Sequence, residues 1–264
     1  MGCHIDSLHF YCWRCGYKPA PKALAGILRV AESEAKRILS KYQGRAISSK
    51  DQAHADAKIN FKRFRLPPDT GPLRKSHKTY LEQRRFHIET LERVWGVLGI
   101  GPASVMDRID YKHRVLIPIY WDGMLVSFQT RDITGKARLK YITCPKSRER
   151  IHHKHILYRA NRSSSGKGIC VEGVTDAWRI GPEYAFATFG IQYTPQQLRL
   201  IAKNYKHVMI LYDSESQAQK QAKTLEIELQ ARRVNAWSRM IDGDPADLSD
   251  EEAKQITKEL EGEA

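Results

Sequence analysis

Between residues 169 and 239, short apolar runs alternate with amphipathic stretches. Residues 169–172, 185–189, 208–213 and 234–239 are runs of strand length, rich in apolar side chains. Between them, 175–180, 195–204 and 217–232 return their apolar residues at helical spacing. Apolar strands separated by helices predict a parallel sheet covered on both faces. The expected class is therefore α/β, a Rossmann-like parallel sheet with flanking helices.

Upstream the pattern is less regular. Residues 115–120 and 124–130 flank Asp122-Gly123, a combination that predicts a hairpin. Residues 76–99 predict two short helices centred on 79–84 and 88–94, and 131–160 read as irregular strands full of Arg, Lys and His. Together these predict a mixed α+β subdomain. Leu24, Ile27, Leu28, Ala31, Ala35, Ile38 and Leu39 give a helical period over 19–45, with Gly44 as its stop. Residues 46–71 are polar and basic and end in Leu66-Pro67-Pro68-Asp69, which reads as a linker. Ser163-Ser164-Ser165-Gly166 reads as a hinge. The expected organisation is a Cys/His-rich knot at 1–18, a helix and linker at 19–71, and a basic subdomain at 72–165. The parallel-sheet domain follows at 166–248, and a C-terminal helix or tail at 249–264. There is no internal repeat.

Charge sharpens this division. The chain has 264 residues and a formal net charge of +14. Residues 169–264 hold 11 basic and 16 acidic side chains, leaving 33 and 14 in residues 1–168. A strongly basic first part suits a polyphosphate backbone better than an uncharged metabolite. No run has the length and apolarity of a membrane span, and the N-terminus lacks a signal-peptide core. The expected setting is soluble and cytoplasmic.

Three of the five cysteines fall within the first fifteen residues, which suggests metal rather than disulfides. Cys12-x-x-Cys15 followed by Gly16 has the form of a zinc knuckle, with Cys3 as third ligand and His4 or His9 as fourth. Phe10, Tyr11, Trp13 and Tyr17 are interleaved aromatics suited to stacking on unpaired bases. Cys144 and Cys170 are expected in the core.

Acidic residues follow the predicted strands of the α/β part: Glu172 the first, Asp213 and Glu215 the third, and Asp242, Asp244 and Asp247 the fourth. Ligands of open parallel sheets bind beyond the carboxyl ends of the strands, so these groups should meet in one crevice. Like charges gathered there need a cation, and carboxylate oxygens suit Mg²⁺ or Mn²⁺. The plainer reading makes Asp176 and Asp213 helix caps only.

Glu172-Gly173-Val174-Thr175-Asp176, Thr188-Phe189-Gly190, the Asp213/Glu215 pair and Asp244-Pro245-Ala246-Asp247 resemble, in order, the Toprim motifs shared by bacterial-type primases, topoisomerases and certain nucleases. Two positions depart from the pattern: Glu215 stands in place of Asp, and Ser214 where primases often have Gly. Upstream, His77 to Arg84, the stretch Arg114-Val115-Leu116-Ile117-Pro118-Ile119 with Gly123, Phe128 and Arg131, and Lys140-Tyr141-Ile142-Thr143-Cys144-Pro145 are similar to primase segments. His153-Lys154 and Leu157-Tyr158 continue the likeness, which covers roughly 72–250. Phe10 to Tyr17 resembles the second half of a primase zinc ribbon, with only Cys3 upstream.

The resemblance implies a phage- or bacterial-type DNA primase that makes short RNA primers on single-stranded DNA from ribonucleoside triphosphates during phage or plasmid replication. It implies catalytic roles for Glu172, Asp176, Asp213 and Glu215, and Mg²⁺ on Glu172, Asp213, Glu215 and Asp244. Arg114, Arg131, Lys140 and Lys154 would hold nucleotide or template, and Zn²⁺ would sit on Cys3, His9, Cys12 and Cys15. Ser164-Ser165-Gly166-Lys167-Gly168 lacks the first Gly and final hydroxyl of a phosphate loop, so a replicative helicase would be a separate partner. The alternative is a Toprim metal-dependent nuclease, or a primase relic that only binds nucleic acid.

Overall fold

The computed structural model describes residues 2–4, 9–12, 16–28, 30–42, 64–159 and 166–262. Two compact units divide between Ala57 and Lys58. In the first, β1 (Gly2–His4), β2 (His9–Cys12) and β3 (Gly16–Pro19) form an antiparallel sheet in chain order. Cys3 lies opposite Phe10 in register, and Cys12 opposite Gly16. The helical stretch expected over 19–45 is two helices, α1 (Ala20–Leu28) and α2 (Glu32–Tyr42). Glu32 and Glu34 in the first turn of α2 favour a fresh start there, because carboxylates complement a helix N-terminus. Cys15 and the side chains of Cys3, His9 and Cys12 lie outside the described residues.

The second unit joins two sheets. β4 (Thr70–Gly71), α3 (Lys75–Gln83), α4 (Ile88–Arg93) and β5 (Leu98–Ile100) come first, then the short pair β6 (Val105–Met106) and β7 (Ile109–Asp110). β8 (Arg114–Trp121), β9 (Met124–Asp132) and β10 (Tyr141–Thr143) complete an antiparallel sheet ordered β10-β9-β8-β5-β4. Asp122 and Gly123 both have positive φ, 48° and 75°, the backbone that a tight hairpin matched to strand twist requires. Residues 131–160 hold fewer strands than expected: β10 and a 3₁₀ turn, His153–His155.

The second sheet is wholly parallel: β11 (Lys167–Val171), β12 (Ala185–Ala187), β13 (His207–Ile210) and β14 (Asn235–Ser238), ordered β12-β11-β13-β14. Alternate residues go to opposite faces. Cys170, Phe186, Val208 and Ile210 pack with α6 (Pro195–Asn204) and α7 (Ser216–Gln230). Ile169, Val171, Ala185, Ala187 and Met209 pack with α5 (Val174–Ile180) and α8 (Asp250–Gly262).

Packing redraws two of the expected divisions. One apolar cluster runs from Leu73 to Leu260, so segments 72–165 and 166–248 share a core, and Ser163, Ser164 and Ser165 of the expected hinge lie outside the described residues. Of the helix or tail expected after residue 248, the structure has the helix: α8 buries Ala253, Ile256 and Leu260, and Lys167 Nζ donates to the carbonyls of Leu260 and Glu261. The expected linker ends early, since Phe64 and Leu66 pack on Ile100, Leu116 and Phe128, and Thr70 already pairs with Ile100. A polar, basic composition suggested a linker, but apolar burial decides.

Candidate active site

In a parallel sheet ordered β12-β11-β13-β14, the chain leaves β11 towards β12 on one side and later returns as β13 on the other. This divergence opens a crevice at the carboxyl ends of β11 and β13. Glu172 directly follows β11, and Asp213 follows β13 by three residues. Glu172 Oε1 accepts the backbone N–H of Asp213 at 3.0 Å, tying the two strand ends together.

Asp176 enters from the first turn of α5. Its Oδ2 accepts the Gly173 N–H at 2.7 Å and its Oδ1 the Thr175 hydroxyl at 3.3 Å. It therefore caps the helix and still faces the crevice. Asp244 arrives on the loop after β14. Its Oδ1 accepts the Ala246 N–H at 2.8 Å, capping the 3₁₀ turn Pro245–Asp247. Ser214 holds that loop in place: its N–H donates to the Gly243 carbonyl at 3.1 Å, and its hydroxyl accepts the Gly243 N–H at 3.2 Å. A glycine at 214 could make only the first of these bonds.

Carboxylate oxygens of Asp176, Asp213 and Asp244 lie within 4.8 Å of one another. Asp213 Oδ1 is buried and has no hydrogen-bond partner. Burial, followed by repulsion from Asp213, Asp176 and Asp244, pushes the Glu172 carboxyl up to about 7. Burial and then the negative charges of Asp244, Glu215 and Asp247 push Asp213 up to about 6. Asp176 is raised too, by burial and then by Asp244. Burial and mutual repulsion make it costly to ionise Glu172, Asp176 and Asp213 together, a cost that a bound cation would offset.

Of the residues expected on Mg²⁺, Asp213 and Asp244 belong to this trio and Asp176 completes it. Glu172 lies beside the trio and lines the same cleft. Glu215 is exposed at the N-cap position of α7, outside the trio. The Asp213 and Tyr212 carbonyls accept Gln219 Nε2 from the first turn of α7, and Glu215 stands at the N-cap of that helix, where its charge still raises Asp213. Asp242 and Asp247 are exposed, and Asp247 pairs with Arg84 at 3.3 Å.

The opposite wall of the cleft, whose volume is about 320 Å³, includes Gln129, Arg131, Lys140 and Tyr141. Arg131 is buried and fixed in direction: Nε donates to Tyr80 Oη at 2.7 Å, and Nη1 to Tyr141 Oη. Tyr141 in turn meets Thr175 at 3.4 Å, so the basic wall and the acidic helix are directly linked. Lys140 is exposed beside it. Tyr80 and Tyr141 lie in segments the sequence singled out, but a phenol that positions an arginine carries no signature of its own.

Two of the four expected phosphate-binding cations have other work. Arg114 is 3% exposed and donates to the carbonyls of Leu139 and Lys140, at 2.8 and 3.2 Å. It holds the β9–β10 connection that presents Lys140. Lys154 Nζ donates to the carbonyls of Thr188 and Gln192, at 3.0 and 2.7 Å. It braces the loop after β12 on which Phe189 and Gly190 reach the cleft, with φ of 61° and 111°. Positions near a cleft were legible in the sequence; whether a cation faces phosphate or carbonyl was not.

Residues 169–251 match the Toprim-like family. A DNA primase from Aquifex aeolicus is 32% identical over 133 residues, 47% of this chain and 27% of that protein. One from Halalkalibacterium halodurans is 27% identical over 180 residues, 54% of this chain and 30% of that protein. The chain thus spans less than a third of the length of these relatives. Among solved structures, the zinc-binding and RNA polymerase domains of the Aquifex aeolicus primase superpose with a TM-score of 0.60 at 21% identity, covering 98% of this chain and 73% of that one. The E. coli primase catalytic core gives 0.58 at 21%, covering 71% and 72%. A DnaG primase catalytic domain bound to single-stranded DNA gives 0.60 at 20%, covering 72% of each. No described helix is long and apolar enough to cross a membrane. The chain carries a Toprim-like domain, set within the fold of bacterial-type primase catalytic cores.

Proposed function

We propose that this chain synthesises short RNA primers on a single-stranded DNA template from ribonucleoside triphosphates. The observation that carries this reading is the trio Asp176, Asp213 and Asp244 at the ends of adjacent parallel strands, facing a fixed Arg131 across one cleft. The primase relatives supply the reaction class, and the net basic charge of residues 1–168 suits a nucleic-acid backbone.

The trio fits Mg²⁺: its donors are hard carboxylate oxygens, one of them orphaned, and the cleft is open to phosphate. Asp176, Asp213 and Asp244 would hold the ion, which when bound neutralises triphosphate charge and acidifies a 3′-hydroxyl. Arg131 presents a guanidinium already oriented by two phenols, so it binds phosphate oxygens with little reorganisation. Lys140 adds a mobile point charge at the mouth. Glu172, held by the Asp213 N–H and poised near neutral pH, accepts the proton leaving the 3′-hydroxyl. The new bond joins that oxygen to the α-phosphorus, and pyrophosphate leaves. Cys3, His9, Cys12 and Cys15 are proposed to hold Zn²⁺ in a ribbon that guides template choice, and a replicative helicase would act as a separate chain.

The test is incorporation of labelled ribonucleotides on single-stranded DNA with Mg²⁺. Product is expected with the natural chain and none with Asp213→Ala. Cleaved DNA without ribonucleotides would replace this reading with a nuclease.

A further inference from the structure

A second set of ligating side chains converges away from the carboxylate trio. Glu149 has 1% of its side chain exposed; burial pushes its carboxyl up, but hydrogen bonds from His153, Ser127 and His152 hold it below the ordinary value. It accepts Ser127 Oγ at 2.6 Å, His152 Nδ1 at 2.5 Å, His153 Nδ1 at 2.7 Å and the His153 N–H at 3.3 Å. The two imidazoles stand edge to face, 4.6 Å between centroids. One ligating atom from each of the three residues lies within 4.8 Å of the others.

We propose that Glu149, His152 and His153 form a binding site for a zinc-type divalent transition metal. Two imidazole nitrogens and one carboxylate oxygen form a borderline donor set, which suits Zn²⁺ and disfavours Mg²⁺ or Ca²⁺. Metal–ligand bonds of about 2.0–2.1 Å in a tetrahedron put neighbouring ligand atoms roughly 3.3 Å apart. Each imidazole Nδ1 therefore has to withdraw from the carboxylate by less than about 1 Å. His152 and His153 keep 24% and 15% of their side chains exposed, which gives an ion a way in and water a fourth position. Protons balance simply. A neutral imidazole that now donates from Nδ1 shifts its proton to Nε2 on binding, and a protonated one releases a single proton.

The ordinary alternative is a hydrogen-bonded carboxylate–imidazole network with no ion. Both states pin the same segment, and the pinning matters for the cleft. The His153 ring meets Phe189 edge-on at 5.3 Å, and the next residue, Lys154, holds the Thr188 and Gln192 carbonyls. A metal here would stiffen the loop that forms one side of the cleft.

The test needs no primer synthesis, so its outcome is independent of the proposed activity. Full-length protein carrying Cys12→Ser and Cys15→Ser is stripped with chelator and titrated with Co²⁺. We expect a visible d–d spectrum of tetrahedral nitrogen and oxygen ligation, without thiolate charge transfer, unchanged by excess Mg²⁺. His152→Ala should weaken binding by more than about 100-fold, since even outer partners of a metal are worth about 10–100-fold. Should that variant fold poorly, X-ray absorption of the zinc-loaded Cys12→Ser, Cys15→Ser protein reports the same shell directly. Absence of any such spectrum, or a spectrum that survives the pair His152→Ala and His153→Ala, overturns the site.

Discussion

The backbone N–H of Asp213 donates to Glu172 Oε1 across a sequence separation of 41 residues, at 3.0 Å. The bond joins the first residue beyond β11 to the loop beyond β13, where the parallel sheet diverges. It commits one oxygen of Glu172 to the scaffold and leaves the other for chemistry. It also keeps Glu172 beside Asp213, whose charge raises the cost of ionising Glu172, while Asp244, Glu215 and Asp247 raise that of Asp213.

That cost predicts a pH dependence of stability in the absence of metal. Glu172 titrates at about 7 and Asp213 at about 6, against ordinary values of 4.5 and 3.8. Below the ordinary values both states are protonated, and these groups contribute nothing. As pH rises towards neutrality the unfolded chain ionises first, so the fold loses stability until the folded values are passed. In chelator, Tm should fall from about pH 5 to about pH 7.5, and fall less in Asp213→Asn than in the natural chain. Mg²⁺ should restore Tm at the higher pH and do little at the lower. Scanning calorimetry at both pH values decides it; equal Mg²⁺ effects at the two would remove the metal assignment.

Arg131 is oriented by Tyr80 and Tyr141, and its orientation should matter more than its charge. Arg131→Lys keeps the charge but cannot fill both phenolic contacts, so nucleotide incorporation should drop about 10²-fold, the usual loss when one preorganised donor is removed. Tyr141→Phe should fall between that variant and the natural chain. Single-turnover incorporation at saturating nucleotide measures this. An Arg131→Lys rate equal to the natural one would place the arginine outside the reaction.

Much of this architecture was legible in the residue pattern, and the exceptions have physical causes. Parallel strands buried on both faces leave long apolar runs, so β11 to β14 stood out, and the acids at their ends followed from topology. Asp176 was legible as a catalytic acid but not as the third member of the trio, because its distance from Asp244 depends on how the 3₁₀ turn Pro245–Asp247 folds back. Glu215 stands outside that trio because α7 starts at the very next residue, Ser216, although its charge still reaches Asp213. Charge alone did not separate Arg131 from Arg114, because what differs is the acceptor each guanidinium finds. The shared core from Leu73 to Leu260 was hidden because a Ser/Gly-rich sequence looks the same within one folded unit as between two.

Lys140 and Lys154 make a matched pair of tests for position. Lys140 is exposed at the cleft mouth, so Lys140→Ala should leave stability within about 0.5 kcal/mol and reduce the salt dependence of DNA binding by about one charge. Lys154→Ala should do the reverse. It strips hydrogen bonds from two loop carbonyls and should cost about 1–3 kcal/mol, while the salt slope is kept. Urea titration and binding isotherms at several salt concentrations separate the two. A changed slope with unchanged stability for Lys154→Ala would return that lysine to the nucleic-acid surface.

Arg179 links the two ends of the second unit through the trio's supporting turn. Its side chain is 3% exposed. Nε donates to the Ala246 carbonyl at 3.2 Å, Nη2 to that of Arg84 at 2.9 Å, and Nη1 to that of Arg85 at 3.0 Å and to Asp250 Oδ1 at 2.9 Å. The guanidinium also lies over Phe86, 4.7 Å from the ring centroid. Arg179→Ala would leave three backbone carbonyls without this donor, while the half-exposed Asp250 keeps His87; the loss should be about 3 kcal/mol, or a Tm lower by roughly 10 °C. Ala246 is the residue whose N–H fixes Asp244, so loosening it reaches the carboxylates. Mg²⁺ should therefore stabilise Arg179→Ala less than the natural chain at the same pH, beyond the general drop in Tm. A variant that loses stability but keeps the full Mg²⁺ increment would show that Asp244 is held by its own 3₁₀ turn alone.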